Sequence, residues 1–89
     1  MKNIRIKVEG RVQGVFFRGS TKKTAEKLNI KGFVKNNHDG SVLIEAQGEE
    51  EKLNEFIRFC KTGPVHAIVD NIETEEIKLN NYRFFDIKY

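Results

Sequence analysis

The sequence predicts an α+β fold, a ferredoxin-like βαββαβ sandwich in which two helices pack on one face of a mostly antiparallel sheet of four to five strands. Segments with alternating apolar and polar residues flank two segments with helical spacing. A turn signature separates the second and third strands, and a Gly-Pro pair follows the second helix. Because strand–helix–strand crossovers are right-handed, we expect the first and third strands at the centre of the sheet.

The first three strands are predicted from an apolar period of two. In the first strand, charged residues alternate with Ile4, Ile6 and Val8. A short second strand is expected over residues 33–36, and a third over residues 42–46. The segment "NNHDG" at 36–40 joins them, because an Asp-Gly pair suits the positive φ of a tight hairpin.

Two helices and two further strands complete the order. The inner face of the first helix is predicted to carry Phe17, Thr21, Ala25 and Leu28. The second helix follows three glutamates at 49–51, ends before Gly63-Pro64, and is predicted to bury Leu53, Phe56, Ile57 and Cys60. The fourth strand is expected to open with Val65, Ala67 and Val69 and to run to Ile77. A closing strand is expected from the alternation of Phe85, Ile87 and Tyr89.

Composition limits the classes of protein to consider. A chain of 89 residues is expected to form a single domain, residues 1–89. One cysteine cannot form an internal disulfide, and no apolar stretch resembles a signal peptide or a membrane span, so we expect a cytoplasmic protein. The net charge of +3 favours small anionic ligands and only weakly suggests nucleic acid.

The segment "GRVQGVFFR" at 10–18 lies between the first strand and the first helix. Gly10 and Gly14 allow positive φ and leave room for an anion near the backbone amides, to which the helix N-terminus adds its own. Arg18 in the first helical turn could bind two phosphate oxygens with its planar guanidinium. The spacing fits neither the Walker A motif nor the dinucleotide-binding motif. On spacing alone, a structural turn with a solvated arginine is an equally good interpretation.

Few other residues indicate chemistry. Asn36 ends the second strand, where it could be a turn residue or could hold a water beside a bound phosphoryl group. His38 and His66 are isolated, and Cys60 falls on the apolar stripe of a helix. No spacing marks a zinc or calcium site.

Four segments together resemble the acylphosphatase family: "GRVQGVFFR" at 10–18, "GFVKNNHDGSV" at 32–42, "AQG" at 46–48 and "GPVHAIV" at 63–69. The similarity covers nearly the whole chain. It implies a small ferredoxin-like enzyme that hydrolyses acyl phosphates to a carboxylate and inorganic phosphate without a metal or cofactor.

The resemblance also implies site residues. Arg18 would be the essential arginine, Asn36 would position the attacking water, and Thr21 would help to orient Asn36. The substrate-binding loop would consist of Gly10, Arg11, Val12, Gln13, Gly14, Val15, Phe16 and Phe17, in which the two phenylalanines are expected to anchor the loop by packing. Gly19 departs from the bulkier residue that the family often has there, which puts the rigidity of the first helical turn in question.

Two other functions are also consistent with the sequence. An RNA-binding module of the RRM class has the same element order, and "KGFVKN" at 31–36 partly resembles its RNP1 motif. That motif belongs on the third strand, however, and its second aromatic residue is missing here. The other alternative is a phosphate-binding module without turnover. We expect a monomer with an acyl phosphate substrate and inorganic phosphate as product, and no nucleic acid or membrane partner.

Overall fold

The computed structural model describes residues 1–89 and confirms the predicted order of elements. Its elements are β1 (Lys2–Arg11), α1 (Phe17–Lys27), β2 (Lys31–Asn36), β3 (Val42–Gly48), α2 (Glu50–Thr62), β4 (Ile68–Ile77) and β5 (Phe85–Lys88). The five strands form one sheet in the order β4-β1-β3-β2-β5. Only β2 and β5 pair in parallel, so the sheet is mixed but mainly antiparallel.

The inner face of the sheet is formed by the residues that alternation predicted. β1 and β3 pair antiparallel with Ile6 opposite Ile44 and Val8 opposite Val42, and all four side chains have no exposed surface. Burying apolar side chains of this size stabilises the fold by about 1.5–3 kcal/mol each. Packing on the face that the helices cover therefore stabilises the central strands.

Both helices pack on that face. α1 contacts β2 and β5, and α2 contacts β4, β3 and β1. Phe56 of α2 packs edge-on against Phe85 of β5, with ring centroids 6.1 Å apart. The buried apolar core comprises Ile6, Val8, Val12, Phe17, Ala25, Ile30, Val34, Val42, Ile44, Ala46, Leu53, Phe56, Cys60 and Phe85.

The opposite face of the sheet is polar. Arg5 on β1 forms ion pairs with Glu45 on β3 at 3.1 Å and with Glu75 on β4 at 3.4 Å. At one end, Asn3 is fully buried and donates hydrogen bonds to the Lys78 carbonyl at 2.9 Å and to the Tyr82 hydroxyl at 3.0 Å, so the segment that contains these two residues covers this part of the face. No helix has the length and apolar character that crossing a membrane requires.

The predicted start of the fourth strand is wrong. β4 begins at Ile68, so it includes Val69 but neither Val65 nor Ala67. The Ala67 amide donates to the Pro64 carbonyl at 3.0 Å in a turn, and Val65 is 93% exposed. Alternation over three residues did not distinguish a turn from a strand because the turn that begins at Pro64 carries the same apolar pattern.

Candidate functional site

The candidate site lies where three strands end. β1 and β2 both run antiparallel to β3, and β5 runs parallel to β2, so the carboxyl ends of β1, β2 and β5 share one edge of the sheet. The loop 12–16 follows β1 and leads into α1, and Asn36 is the last residue of β2. The fold therefore brings the loop and Asn36 together although they are distant in sequence.

A pocket of about 210 Å³ opens at this edge. It contains both residues for which a direct chemical role was predicted, Arg18 and Asn36. Four residues of the predicted loop also line it: Val12, Gly14, Phe16 and Phe17. Gly19, Ile87 and Tyr89 complete the wall.

The loop and the first turn of α1 present unpaired backbone amides. The N–H groups of residues 12–19 donate to no acceptor in the protein, and the first one to do so is that of Ser20, 3.1 Å from the Phe16 carbonyl. No acidic residue lies in the first turn of α1. A row of free amides at a helix N-terminus without neighbouring carboxylates is suited to an anion such as phosphate.

The structure requires a glycine at each of the two loop positions for a different reason. Gly14 has φ +74° and nothing within 4 Å of the position of a Cβ, which agrees with the predicted open space beside the amides. Gly10 does not line the pocket: a Cβ there would lie 2.2 Å from the Ile68 carbonyl oxygen. Because the register of β1 against β4 shifts between Glu9 and Gly10, this glycine serves strand pairing, and its role beside an anion stays a prediction.

Arg18 is held at the pocket by the end of the chain. Its Nη1 donates to the Lys88 carbonyl at 3.2 Å, and its guanidinium carbon lies 4.7 Å from the centre of the Tyr89 ring. These contacts fix one side of the guanidinium and leave its other N–H groups without acceptors in the protein. An arginine held in this way needs little reordering to bind an anion.

Asn36 contributes an unusual polar atom. Its Oδ1 is buried and accepts no hydrogen bond. Thr21, which was expected to orient Asn36, does not bond to it: the Thr21 hydroxyl donates to the Phe17 carbonyl at 2.8 Å, within its own helix. Because a buried acceptor without a donor is costly, a water or ligand that donates to Oδ1 would be favoured here.

Gln13 connects the loop to the β2–β3 hairpin. Its Nε2 donates to the Asn37 carbonyl at 2.8 Å and to the Ser41 carbonyl at 2.9 Å. Gln13 does not line the pocket, and its contact with substrate stays a prediction. Two other predicted loop residues also lie outside the pocket: Arg11, which is exposed on β1, and Val15, which packs against the core.

The two phenylalanines differ. Phe17 is 2% exposed and packs against Phe59, so it anchors the loop as predicted. Phe16 is 67% exposed, and its packing role was predicted wrongly. Its backbone adopts the left-handed conformation, with φ 63° and ψ 25°, at the start of α1.

Ile87 and Tyr89 were not predicted to lie at the site. The alternation of Phe85, Ile87 and Tyr89 placed all three on one face, and Phe85 is indeed buried in the core. The parallel pairing that aligns Val34 with Ile87 carries this row toward Asn36. Only that pairing, which alternation does not reveal, connects the end of the chain to the pocket.

The remaining candidates lie elsewhere. His38 and His66 are exposed and do not line the pocket. Burial raises the pKa of the Cys60 thiol well above its usual range, which makes it a poor nucleophile. The structure contains no cluster of three or more His, Cys, Asp or Glu side chains suited to a metal ion.

The fold and the pocket define a small α+β domain with a site suited to an anion at one edge of its sheet. The sequence model of the acylphosphatase family matches residues 4–87. An acylphosphatase of Thermotoga petrophila is 46% identical over 89 residues, which cover 100% of this chain and 99% of that protein. The crystal structure of acylphosphatase from Bacillus subtilis superposes with a TM-score of 0.97 at 40% identity and full coverage of both chains. The chain belongs to the acylphosphatase family.

Proposed function

We propose that the chain hydrolyses the carboxyl–phosphate bond of acyl phosphates at this pocket, as a single domain over residues 1–89. The observation that carries the assignment of the site is the row of unpaired amides at 12–19 beside Arg18. These groups would hold the phosphoryl oxygens, and the charge that develops on the oxygens in the transition state would be stabilised by donors already in place.

Asn36 would position the attacking water. Its Oδ1 lacks a donor in the protein and lies at the same pocket as Arg18. A water that donates one hydrogen to Oδ1 could direct its oxygen toward phosphorus. The new oxygen–phosphorus bond forms as the bond to the acyl oxygen breaks, the carboxylate leaves with the electron pair, and the proton of the water passes to a phosphoryl oxygen.

This route requires neither a metal nor a strong general base. A carboxylate is a good leaving group, so its departure needs little acid catalysis, and phosphoryl transfer then depends mainly on positioning and charge. We propose a metal-independent, monomeric, cytoplasmic enzyme.

RNA binding is less well supported than hydrolysis. The polar face of the sheet carries Arg5, Lys7 and Glu45 on its two central strands, where RRM domains carry aromatic stacking residues. Phe33 lies on this face of β2, but the Lys88 ammonium already contacts its ring, 4.1 Å from the ring centre. The face lacks a free stacking surface, so we do not propose a nucleic-acid partner.

The test is hydrolysis of benzoyl phosphate with and without EDTA. We expect equal rates in both conditions. Arg18→Ala should lower kcat/KM by about a thousandfold and abolish inhibition by inorganic phosphate. Asn36→Ala should lower kcat by about a hundredfold and retain phosphate inhibition.

Matched controls are available at exposed positions away from the pocket. Arg83→Ala and Asn54→Ala remove the same side-chain types from exposed sites and should behave as the wild type. A folded wild-type protein without hydrolysis would refute the enzymatic function. Full activity in Arg18→Ala or Asn36→Ala would refute the corresponding residue role.

A further inference from the structure

Phe16 combines two unfavourable features that the fold does not explain. Its left-handed backbone conformation costs about 1 kcal/mol or more for a residue that is not glycine. Its ring is 67% exposed, so burial returns little of that cost. Such a residue in a pocket wall suggests a role in binding rather than in folding.

Gly19 is the second unfavourable residue. Glycine in a helix costs up to about 1 kcal/mol relative to alanine, and Gly19 does not have the positive φ that would require it. A Cβ at this position would lie 2.6 Å from two atoms of the Phe16 ring. The ring therefore occupies the space that the missing side chain leaves over the first turn of α1.

The two residues together form one wall of the pocket. Phe16 and Gly19 line it on the side of α1, and Ile87 and Tyr89 line it on the side of β5. The polar groups, the free amides with Arg18 and Asn36, account for the phosphoryl group and the water. The exposed Phe16 ring has no partner in that chemistry, whereas the acyl part of the substrate is the portion that those groups leave unbound.

From this arrangement, and resting on the function proposed above, we propose that Phe16 contacts the acyl group and favours acyl phosphates with a bulky apolar acyl group over acetyl phosphate, and that Gly19 holds the Phe16 ring in that position. The Lys23 ammonium lies 5.9 Å from the centre of the same ring, at the outer limit of a cation–π contact, and leaves the ring 67% exposed. The ring is consequently available to a ligand.

The experiment compares kcat/KM for benzoyl phosphate and for acetyl phosphate. In Phe16→Ala we expect the ratio of the two values to fall about tenfold, because one methylene in an enclosed apolar pocket already discriminates by roughly 10–200-fold and this wall is open. Gly19→Ala keeps the ring but displaces it, and should lower the ratio by a few fold. Phe84→Ala removes an equally exposed ring (68%) outside the pocket and should keep the wild-type ratio.

Inhibition by inorganic phosphate serves as the second readout, since it reports on the amide loop without an acyl group. Phosphate inhibition should persist in Phe16→Ala and Gly19→Ala. An unchanged ratio in Phe16→Ala would overturn the proposal. An equal fall in kcat/KM for both substrates, together with loss of phosphate inhibition, would also overturn it, because it would show that the ring supports the loop instead. An unchanged ratio in Gly19→Ala alone would overturn the role of Gly19. A folded wild type that hydrolyses neither substrate would refute the function itself, and the acyl contact with it.

Discussion

At the scale of single residues, the site depends on a side chain that does not line the pocket. Gln13 donates two hydrogen bonds to carbonyl groups of the hairpin that follows Asn36. The loop carries the backbone amides that would hold the phosphoryl group, and the hairpin extends from the strand that carries Asn36. The Gln13 side chain therefore sets the distance between these amides and the residue that would hold the water.

Removing the donors of Gln13 should therefore affect both stability and turnover. Gln13→Glu would place a carboxylate against the Asn37 and Ser41 carbonyls, and we expect about 2 kcal/mol lower free energy of unfolding, with a larger fall in kcat than rise in KM. Gln13→Met keeps the length without donors and should be intermediate. Urea unfolding and steady-state kinetics measure the two effects. Wild-type values in both variants would show that the connection is dispensable.

Residue positions at the site were predictable where chemistry determined the residue type. Arg18 and Asn36 carry functional groups that an anion and a water need, and the structure places both at one pocket. The sequence indicated that position 10 requires a glycine, but it did not show why. The Ile68 carbonyl that excludes a side chain there belongs to a strand far along the chain. Phe16 was misjudged because sequence does not show which of two adjacent phenylalanines points to the core.

At the scale of elements, the hairpin between β2 and β3 depends on one carboxylate. Asp39 accepts hydrogen bonds from the Ser41 hydroxyl at 2.6 Å and the Ser41 amide at 2.9 Å, and it pairs with Lys7 at 3.2 Å. These contacts, led by the Ser41 hydroxyl, lower the pKa of Asp39 from 3.8 to about 2. The turn that follows Asn36 is thus held most firmly when Asp39 is ionised.

The sign of the pH dependence follows from this lowered pKa. A carboxylate with a lower pKa in the folded protein contributes its stability above its unfolded pKa of 3.8, and the contribution is lost as the pH falls toward about 2. Asp39→Asn should therefore lose less stability than the wild type between about pH 5 and pH 2. Urea midpoints across this range measure it. Asp70→Asn, at a carboxylate without an ion pair or hydrogen bond, should follow the wild type, and identical acid profiles for all three would contradict the expectation.

Elements were predictable where one face is buried throughout. The period of two in β1 and β3 and the helical period in α2 correspond to side chains with essentially no exposure, such as Ile6, Ile44 and Phe56. β4 is an edge strand whose residues are mostly exposed, so its pattern carries little information about where it begins. That is why Val65 and Ala67 were placed in it wrongly.

At the scale of the whole molecule, the site joins distant parts of the chain. Arg18 lies in the helix that follows the first strand, whereas Lys88, which ends the last strand, and Tyr89, which follows it, contact the Arg18 guanidinium. The parallel pairing of β5 with β2 makes this possible, and sequence patterns alone gave no indication of it.

Tyr89 offers a test of this long-range support. Tyr89→Ala removes the ring against which the guanidinium lies, and an exposed contact of this kind is worth about 0.5–1 kcal/mol, so we expect KM to rise about two- to fivefold. Tyr89→Phe retains the ring face and should match the wild type. Steady-state kinetics with benzoyl phosphate measure KM for both variants. An equal rise in KM for both variants would assign the effect to the hydroxyl instead.

The buried Oδ1 of Asn36, which no donor in the protein satisfies, has a consequence for how this sequence can change. An unsatisfied buried acceptor costs about 1–3 kcal/mol. Selection for stability alone would therefore replace Asn36 with an apolar residue like Val34, which precedes it on the same face of β2. Selection for catalysis would keep it. Directed evolution under heat alone should therefore lose this asparagine early, and the surviving proteins would be more robust and catalytically silent.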